Sequence, residues 1–319
     1  MINVLIICDE KISSKNQCET LVSELRKKTK IKCDYLTIKK KIFHYLPNIL
    51  IFFILNLIKF LKLSKHKNYN LIISCGRTAA PYNLLFSKKN YTHNYHILDP
   101  YFRRDKFKNI IIPYHDHKKM KIYKNTIFTV GALSKQINHL RKGKKTRVKK
   151  TISFLIGGSG KSSNLTIEDI NDCVDILSKF ESRYIINYCF SRRTPKKIKN
   201  YIIKHKYSSH SYYPKGNLNP YLDLLKSSNY FIVTQDSVGM ISDVLNTGKS
   251  IYIIELKNIK RKLRDFSDFL IKEKYTRIFD GKFQKPSYKP LNEVRRVADL
   301  VIQNFTNDYA PKSIDLDTF

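Results

Sequence analysis

The chain lacks several features that would point directly to a function. Tryptophan is absent, and the six cysteines are scattered without a CxxC pair, so the sequence supports neither a zinc site nor a disulfide framework. Acidic residues number only 26 against 60 Lys and Arg, giving a formal charge of +34. The excess is diffuse, with no basic tail and no arginine-rich helix, so we expect no nucleic acid partner. A surface of solvated lysine is instead suited to an anionic membrane.

A secretory leader and a long apolar run are also missing. The opening MINVLIICDE is typical of a buried strand from its first residues, which predicts a cytoplasmic location. The most apolar segment, Ile49–Leu63, is too short for the roughly 20 residues that a membrane span requires. Two alternatives follow. The segment is a core helix, or it lies on the inner membrane face with flanking lysines at the lipid head groups.

Strand-like and helix-like segments alternate along the whole chain, which predicts an α/β protein with two doubly wound domains. The polar stretch RKGKKTRVKK places the boundary between residues 145 and 146. We expect domains at 1–145 and 146–290, with 291–319 forming a helix that crosses back to the first domain and a tail. The main predicted strands are Ile2–Ile7, Lys32–Ile38, Asn70–Ser74, His93–Leu98, Asn109–Ile112, Thr151–Ile156, Tyr184–Tyr188, Tyr230–Thr234 and Ser250–Ile254.

A glycine-rich loop follows the predicted strand Thr151–Ile156. It is not a Walker A motif, because Leu155 stands where the first glycine should be, and it is not a dinucleotide fingerprint, because Ser163 replaces the third glycine. Two interpretations remain. Gly157, Gly158, Ser159 and Gly160 form a turn whose backbone N–H groups approach a ligand, or they form a plain tight turn.

Arginine is used sparingly, supplying 14 of the 60 basic residues, and it recurs where predicted strands end. Arg77, the pair Arg103 and Arg104, and the pair Arg192 and Arg193 each follow a strand. A guanidinium grips phosphate or carboxylate with two parallel hydrogen bonds. These loops are therefore predicted to converge on an anionic ligand in a cleft between domains, with interdomain salt bridges as the alternative.

Proton carriers are few. His115, in PYHDH, and Asp99, in LDP, both follow strands and are the candidate catalytic bases. The HDH triplet lacks a visible third partner for a metal ion, so no metal site is predicted. Gln235, Asp236 and Ser237 follow the strand Tyr230–Thr234, the edge at which parallel sheets bind ligands.

Eight motifs in order carry a family resemblance. They are NQC (16–18), SCGRTAAP (74–81), LDP (98–100), PYHDH (113–117), LIGGSGK (155–161), SRRTP (191–195), NPY (219–221) and TQDSVGMISD (234–243). This set resembles the mitochondrial fission protein family of the plant "elongated mitochondria" type and its bacterial relatives. The resemblance implies a fold similar to the GT-B glycosyltransferases, with two Rossmann-like domains facing a cleft. A nucleotide-sugar donor would lie against the second domain and an acceptor against the first.

The resemblance also implies a donor site. Its residues would be Gly157, Gly158, Ser159, Gly160, Arg192, Arg193, Thr194, Gln235, Asp236, Ser237 and Asp243, with Arg77, Arg103 and Arg104 as further anion-binding residues. Two positions depart from the family pattern, since Gly239 stands where Ser is usual and Asp243 where Glu is usual. A shorter acid at 243 weakens the expected contact with ribose hydroxyls.

Two functions of different classes follow from this pattern. The first is a glycosyltransferase that takes its sugar from a nucleotide donor at the cytoplasmic membrane face and holds no permanently bound cofactor. The second is a non-catalytic membrane-associated scaffold for organelle or envelope division, for which a dynamin-type partner is implied. Whether the chain is an enzyme is left open by the sequence.

Overall fold

The computed structural model describes residues 1–57, 68–87, 92–117, 123–135, 149–204 and 210–309. These residues form two compact units, Met1–Thr129 with the C-terminal helix, and Val130–Asn292. The elements of the first half are β1 (Ile2–Asp9), α1 (Ile12–Arg26), β2 (Ile31–Ile38), α2 (Asn48–Leu57), β3 (Leu71–Cys75), α3 (Ala80–Ser87), β4 (His93–Ile97), β5 (Asn109–Pro113), α4 (Tyr114–His117) and β6 (Thr126–Thr129). Those of the second half are β7 (Lys150–Ile156), β8 (Ser163–Asn164), α5 (Asn171–Ser178), β9 (Tyr184–Phe190), α6 (Lys196–Lys204), β10 (His210–Tyr213), α7 (Tyr221–Ser227), β11 (Tyr230–Thr234), α8 (Val238–Leu245), β12 (Ser250–Ile254), β13 (Asn258–Ile259), α9 (Arg261–Lys272), β14 (Arg277–Ile278) and α10 (Glu293–Tyr309).

The first unit is built on six parallel strands in the order β2-β1-β3-β4-β5-β6. Parallel neighbours require crossover connections, which place helices on the faces of the sheet. Helices α2 and α3 share a hydrophobic cluster with Leu5 and Ile7 of β1. Helix α1 packs against β1, β3 and α10. The order of the strands reverses between β1 and β3, so this pair marks the switch point of the first sheet.

The second unit also has six parallel strands, in the order β10-β9-β7-β11-β12-β14. Counted within the unit this is 3-2-1-4-5-6, the Rossmann order, with its switch point between β7 and β11. Alternate residues of β11 serve opposite faces: Ile232 joins one cluster with α5 and α6, whereas Phe231 and Val233 join another with α7, α8 and α9. Burial on both faces explains why these strands are apolar throughout.

The predicted α/β class and most predicted strands are confirmed. The sequence analysis did not predict five short strands of two to four residues, which carry too little pattern to recognise. They are β6, β10 and β14 of the six-stranded sheets, and β8 and β13, which pair with each other. The predicted domain boundary at 145/146 lies outside the described residues. Helix α10 corresponds to the predicted C-terminal helix and belongs to the first compact unit.

The predicted apolar helix Ile49–Leu63 is described as far as Leu57, and the remainder of that prediction lies outside the described residues. One face of α2 is in the core, with Ile51, Phe52 and Leu55 buried. The opposite face is apolar too. Leu50, Phe53 and Leu57 are spaced three and four apart, and they are 46%, 50% and 78% exposed. No described helix is long and apolar enough to cross a membrane.

A histidine is buried at the centre of the first sheet. His96 pairs in register with Ser74, and its Nδ1 lies 2.7 Å from the Ser74 Oγ, to which the Asn83 side-chain amide also donates (2.6 Å). Burial lowers the pKa of His96 to about 3. The imidazole is therefore neutral in the folded chain at neutral pH, as a fully buried ring should be.

This burial predicts acid sensitivity. Because the folded-state pKa lies below the unfolded value of about 6.5, the unfolded chain binds the extra proton first, and stability falls as the pH drops from about 6.5 toward 3. Denaturant unfolding measures this effect. Between pH 7 and pH 5 the free energy of unfolding should fall by about 2 kcal/mol more in wild type than in His96→Gln. If the free energy of unfolding fell equally with pH in the two proteins, His96 would not be the source of the acid sensitivity.

Candidate functional site

Three loops of the second unit meet at one edge of its sheet. They follow the neighbouring strands β9, β7 and β11 and comprise residues 191–194, 157–160 and 235–237. Since the strands are parallel, their carboxyl ends lie on the same side, and the loops flank the switch point between β7 and β11. The structure thus brings together most of the residues for which the resemblance implies a donor site.

Asp236 links these loops. Its Oδ2 accepts the Gly158 N–H (2.9 Å) and an Arg193 Nη2 hydrogen bond (3.1 Å), while its Oδ1 accepts the Thr234 hydroxyl (2.7 Å). The carboxylate is buried, and desolvation raises the pKa of Asp236, an effect that the Gly158, Thr234 and Arg193 contacts oppose. One side chain therefore connects the ends of three strands.

The glycines of the loop are required by this close packing. A Cβ on Gly157 would lie 2.2 Å from the Asp236 Oδ1, and a Cβ on Gly158 would lie 2.1 Å from the Arg193 carbonyl oxygen. The four loop N–H groups all donate within the chain. Their acceptors are Thr234 Oγ1 for Gly157, Asp236 Oδ2 for Gly158, the Arg193 carbonyl for Ser159 and the Ser163 carbonyl for Gly160. In this conformation the loop itself presents none of these four donors to a ligand.

Thr194 and Gln235, also predicted for the site, form hydrogen bonds that hold the loops in place. The Thr194 hydroxyl is buried and lies 3.0 Å from the Ile156 carbonyl and 2.5 Å from that of Gly157. The Gln235 amide donates to the Ser267 Oγ (2.5 Å), and its oxygen accepts the Leu256 N–H (3.0 Å). Both side chains hold the strand ends in place and are turned into the protein.

The N-terminus of α8 is open. Ser237 occupies the N-cap position, and within the described residues its side chain makes no capping hydrogen bond. The first-turn N–H groups of a helix have no intrahelical acceptor. A Cβ built on Gly239, in this turn, would meet no atom within 4 Å. These N–H donors lie at the positive end of the helix dipole, and α8 begins four residues beyond the last residue of β11.

Asp243 and the arginine pair have different surroundings. The Asp243 carboxylate accepts the Tyr221 hydroxyl at 2.7 Å, and burial raises the pKa of Asp243 to about 6, against the lowering effect of hydrogen bonds from Tyr221 and Ser134. Its contacts are thus with α7 and the segment before β7. Arg192 and Arg193 are exposed, and Arg193 is oriented by Asp236.

In the first unit, Asp99 is held by an arginine. Arg104 donates from Nε to Oδ1 (2.9 Å) and from Nη2 to Oδ2 (2.8 Å), and the Tyr101 N–H also donates to Oδ1 (2.8 Å). Both carboxylate oxygens and the Arg104 fork are therefore occupied by one bidentate pair.

The other predicted residues of this unit are separate. The Arg77 guanidinium donates to the Leu46 carbonyl and, at 3.5 Å, to that of Tyr45. His115 lies on α4 with its ring buried and its Nε2 3.6 Å from the Asp116 Oδ1. The guanidinium of Arg103 lies 5.0 Å from the centre of the Phe52 ring. Since these residues and Arg192 and Arg193 belong to different units, their convergence on one ligand stays a prediction.

Sequence reasoning missed Asp9, which ends β1 at the switch point of the first sheet. Its carboxylate is buried, accepts the Lys11 N–H at 3.2 Å and has the Lys11 Nζ at 3.8 Å. Gly76 has a φ of +86°, and a Cβ there would lie 3.7 Å from the Asp9 Oδ2. An acid directly after an apolar strand, the same signal that singled out Asp236, would have identified it.

Comparison with known proteins decides the family. A family model described as mitochondrial fission ELM1 matches residues 14–305. The chain belongs to the mitochondrial fission ELM1 family. An uncharacterized protein of Rickettsia prowazekii (strain Madrid E) is 27% identical, covering 94% of this chain and 97% of that protein. The mitochondrial fission protein ELM1 of Arabidopsis thaliana is 30% identical over 118 residues, 35% of this chain but only 28% of the plant protein.

Solved structures extend the comparison to the fold. MurG of Acinetobacter baumannii matches 95% of this chain over its whole length with a TM-score of 0.58 and 10% identity. The glycotransferase of kitacinnamycin gives the same TM-score and identity over 96% of this chain and 93% of its own. UDP-GlcNAc 2-epimerase from Neisseria meningitidis, bound to UDP-GlcNAc, gives 0.53 and 13% identity, over 96% of this chain and all of its own. This ELM1-family chain therefore has a fold similar to that of the GT-B glycosyltransferases, as predicted.

Two glycines of the site should respond oppositely to alanine. Gly157→Ala places a methyl group against the Asp236 carboxylate and should cost about 1–3 kcal/mol of the free energy of unfolding. Gly239→Ala enters open space in a helix and should be neutral or stabilising by up to about 1 kcal/mol. Chemical denaturation of both variants measures the difference. Equal free energies of unfolding for the two variants would mean that the Asp236 carboxylate leaves room for a methyl group at residue 157.

Proposed function

We propose that this chain binds a nucleotide sugar at the strand ends of its second unit and transfers the sugar to a membrane-associated acceptor. The observation that carries the proposal is the open N-terminus of α8. Uncapped N–H groups at the positive end of a helix form a ready site for a diphosphate. Gly239, with nothing within 4 Å of its missing Cβ, leaves room for the ligand to approach the backbone.

Arg193 and Arg192 would supply the charge. Arg193 is half exposed and fixed by the buried Asp236, so its remaining donors can meet a phosphate without the loss of further side-chain freedom. Arg192 is exposed in the same loop. Stabilising the negative charge that develops on a leaving diphosphate is the electrostatic task that glycosyl transfer from a nucleotide sugar requires. The neighbour from Neisseria meningitidis, bound to UDP-GlcNAc, supports this class of ligand.

The acceptor needs a base, and the first unit offers three candidates. Asp99 already accepts hydrogen bonds from Arg104 and the Tyr101 N–H at its two oxygens, so an acceptor hydroxyl would have to share an oxygen with them. His115 is buried beside Asp116. Asp9 has one oxygen whose nearest cation, the Lys11 Nζ, is 3.8 Å away, so it can accept a hydrogen bond from an acceptor hydroxyl. We therefore add Asp9 to the two candidates from the sequence.

The exposed face of α2 is suited to the membrane. Leu50, Phe53 and Leu57 form an apolar stripe on the outside of the helix, and Lys39, Lys40 and Lys41 are exposed in the segment before it. Apolar side chains that enter the acyl boundary and lysines at anionic head groups are the two components of interfacial binding. This combination supports a peripheral position at a membrane, and we propose that the membrane face is the cytoplasmic one.

A second function is favoured by a separate observation. The loop N–H groups at 157–160 and both oxygens of Asp99 are engaged inside the chain. If they stay so in solution, the protein is a non-catalytic scaffold that keeps the fold and the membrane face and binds a division protein of the dynamin type. The family name, mitochondrial fission ELM1, is compatible with this role.

A nucleotide panel separates the two functions. Under the enzyme hypothesis, one nucleoside diphosphate and its sugar should raise the thermal midpoint of unfolding, since a ligand at 100 times its Kd adds about 2.7 kcal/mol. Gly239→Trp should abolish the shift by filling the space at the α8 N-terminus, whereas Gly239→Ser, the residue usual in the family, should keep it. Arg192→Ala should reduce it.

The tryptophan variant has its own control, because open space at Gly239 allows the protein to stay folded with an unchanged midpoint in the absence of ligand. If a nucleotide still raised the thermal midpoint of Gly239→Trp, the ligand would bind somewhere other than the α8 N-terminus. No shift with any nucleotide would favour the scaffold.

The membrane face is tested by vesicle flotation. Phe53→Asp should weaken binding to phosphatidylglycerol vesicles about tenfold or more, because burying a phenylalanine contributes about 1.5–3 kcal/mol. Leu222→Asp is the matched control, since Leu222 is a helical residue of the second unit with nearly the same exposure, 52% against 50% for Phe53. Equal flotation of both variants would rule out α2 as the contact.

A further inference from the structure

The segment after β4 is strained in a way that the proposed transfer does not use. Leu98, Tyr101 and Arg103 all have left-handed backbone conformations, with φ of 75°, 61° and 40°. Such conformations in residues other than glycine are unfavourable, and they persist where the surrounding structure imposes them. Three within six residues point to a segment held for a purpose.

The bidentate pair of Asp99 and Arg104 imposes the conformation. Asp99 grips both Arg104 and the Tyr101 N–H, and so fixes the chain on either side of Arg103. Arg103 itself makes no ion pair within the described residues. Its guanidinium lies over the Phe52 ring at 5.0 Å, a contact that uses the face of the group and leaves its N–H donors for acceptors in the plane.

Arg103 lines a cavity of about 340 Å³ together with the apolar Phe52 and Leu84 and the cationic Lys106. Lys106 lies 3.3 Å from the Asp105 carboxylate, but both side chains are more than half exposed, and such pairs contribute little. The cavity therefore combines two cations with an apolar wall. Phe52 also belongs to α2, next in sequence to the exposed Phe53.

We propose that this cavity binds the phosphate of an anionic lipid, with the phosphate between Arg103 and Lys106 and the start of the acyl portion against Phe52 and Leu84. The proposal deepens the membrane half of the proposed function, and it adds a specific head-group site to a nonspecific apolar face. A planar guanidinium whose donors remain available is suited to a phosphate oxygen pair.

The test uses short-chain lipids below their micelle concentration, so that no bilayer is involved. Dihexanoyl phosphatidic acid should bind the full chain, and Arg103→Gly should raise the Kd at least about tenfold by removing a charge-assisted contact. Glycine tolerates the left-handed backbone at this position, so the variant should fold. Tyr101→Gly is the matched control: it relieves a similar φ in an exposed residue outside the cavity lining and should leave the Kd within twofold.

Two further ligands identify the source of the phosphate. Inorganic phosphate and dihexanoyl phosphatidylcholine should each bind at least about tenfold more weakly than phosphatidic acid. Equal binding of inorganic phosphate would assign the cavity to a free anion and overturn the lipid proposal. Equal effects of Arg103→Gly and Tyr101→Gly, or no binding of phosphatidic acid at all, would also overturn it. Phe53→Asp should leave the Kd for phosphatidic acid unchanged, because Phe53 is not part of the cavity lining. Loss of vesicle binding through α2 and loss of lipid binding in the cavity can therefore be told apart.

Discussion

The candidate site of the second unit depends on the hydrogen bonds that the buried Asp236 carboxylate accepts. An isolated carboxylate at this depth would be costly, and the Gly158 N–H, the Thr234 hydroxyl and Arg193 offset that cost. In return, the ends of three neighbouring strands are tied to one point. The requirement for glycine at 157 and 158 follows from the same geometry, because no Cβ fits against the carboxylate or the facing Arg193 backbone.

The first unit repeats this device. Asp99 lies two residues beyond the end of β4, as Asp236 lies two beyond β11, and each carboxylate holds an arginine. The outcome differs. Asp236 leaves Arg193 half exposed in the loop after β9, whereas Asp99 pairs with Nε and Nη2 of Arg104 and thereby positions the neighbouring Arg103. In both units the acid positions a cation, and the exposed cation is the group that we propose to bind a ligand.

The sequence was sufficient for the fold class, and it predicted a candidate site beyond the strand ends. Apolar strands buried on both faces have a strong pattern, and the rule that ligands bind beyond strand ends selected Asp236, Asp99 and their arginines. It could not show that Asp99 and Arg104 pair with each other, since that depends on side-chain geometry across five residues. It also did not show that Gln235 and Thr194 turn inward. A polar residue after a strand can cap a helix, form a hydrogen bond inside the protein or bind a ligand, and the sequence does not distinguish these roles.

This arrangement bears on whether the site is catalytic. An arginine fixed by a buried acid has already lost its conformational freedom during folding, so an anion that binds it bears a smaller entropic cost. A scaffold would use these N–H groups only if its partner presented an acidic side chain to the α8 N-terminus. A diphosphate is small enough to reach it. We therefore propose the uncapped α8 turn and the fixed Arg193 as an anion site in preference to a protein interface.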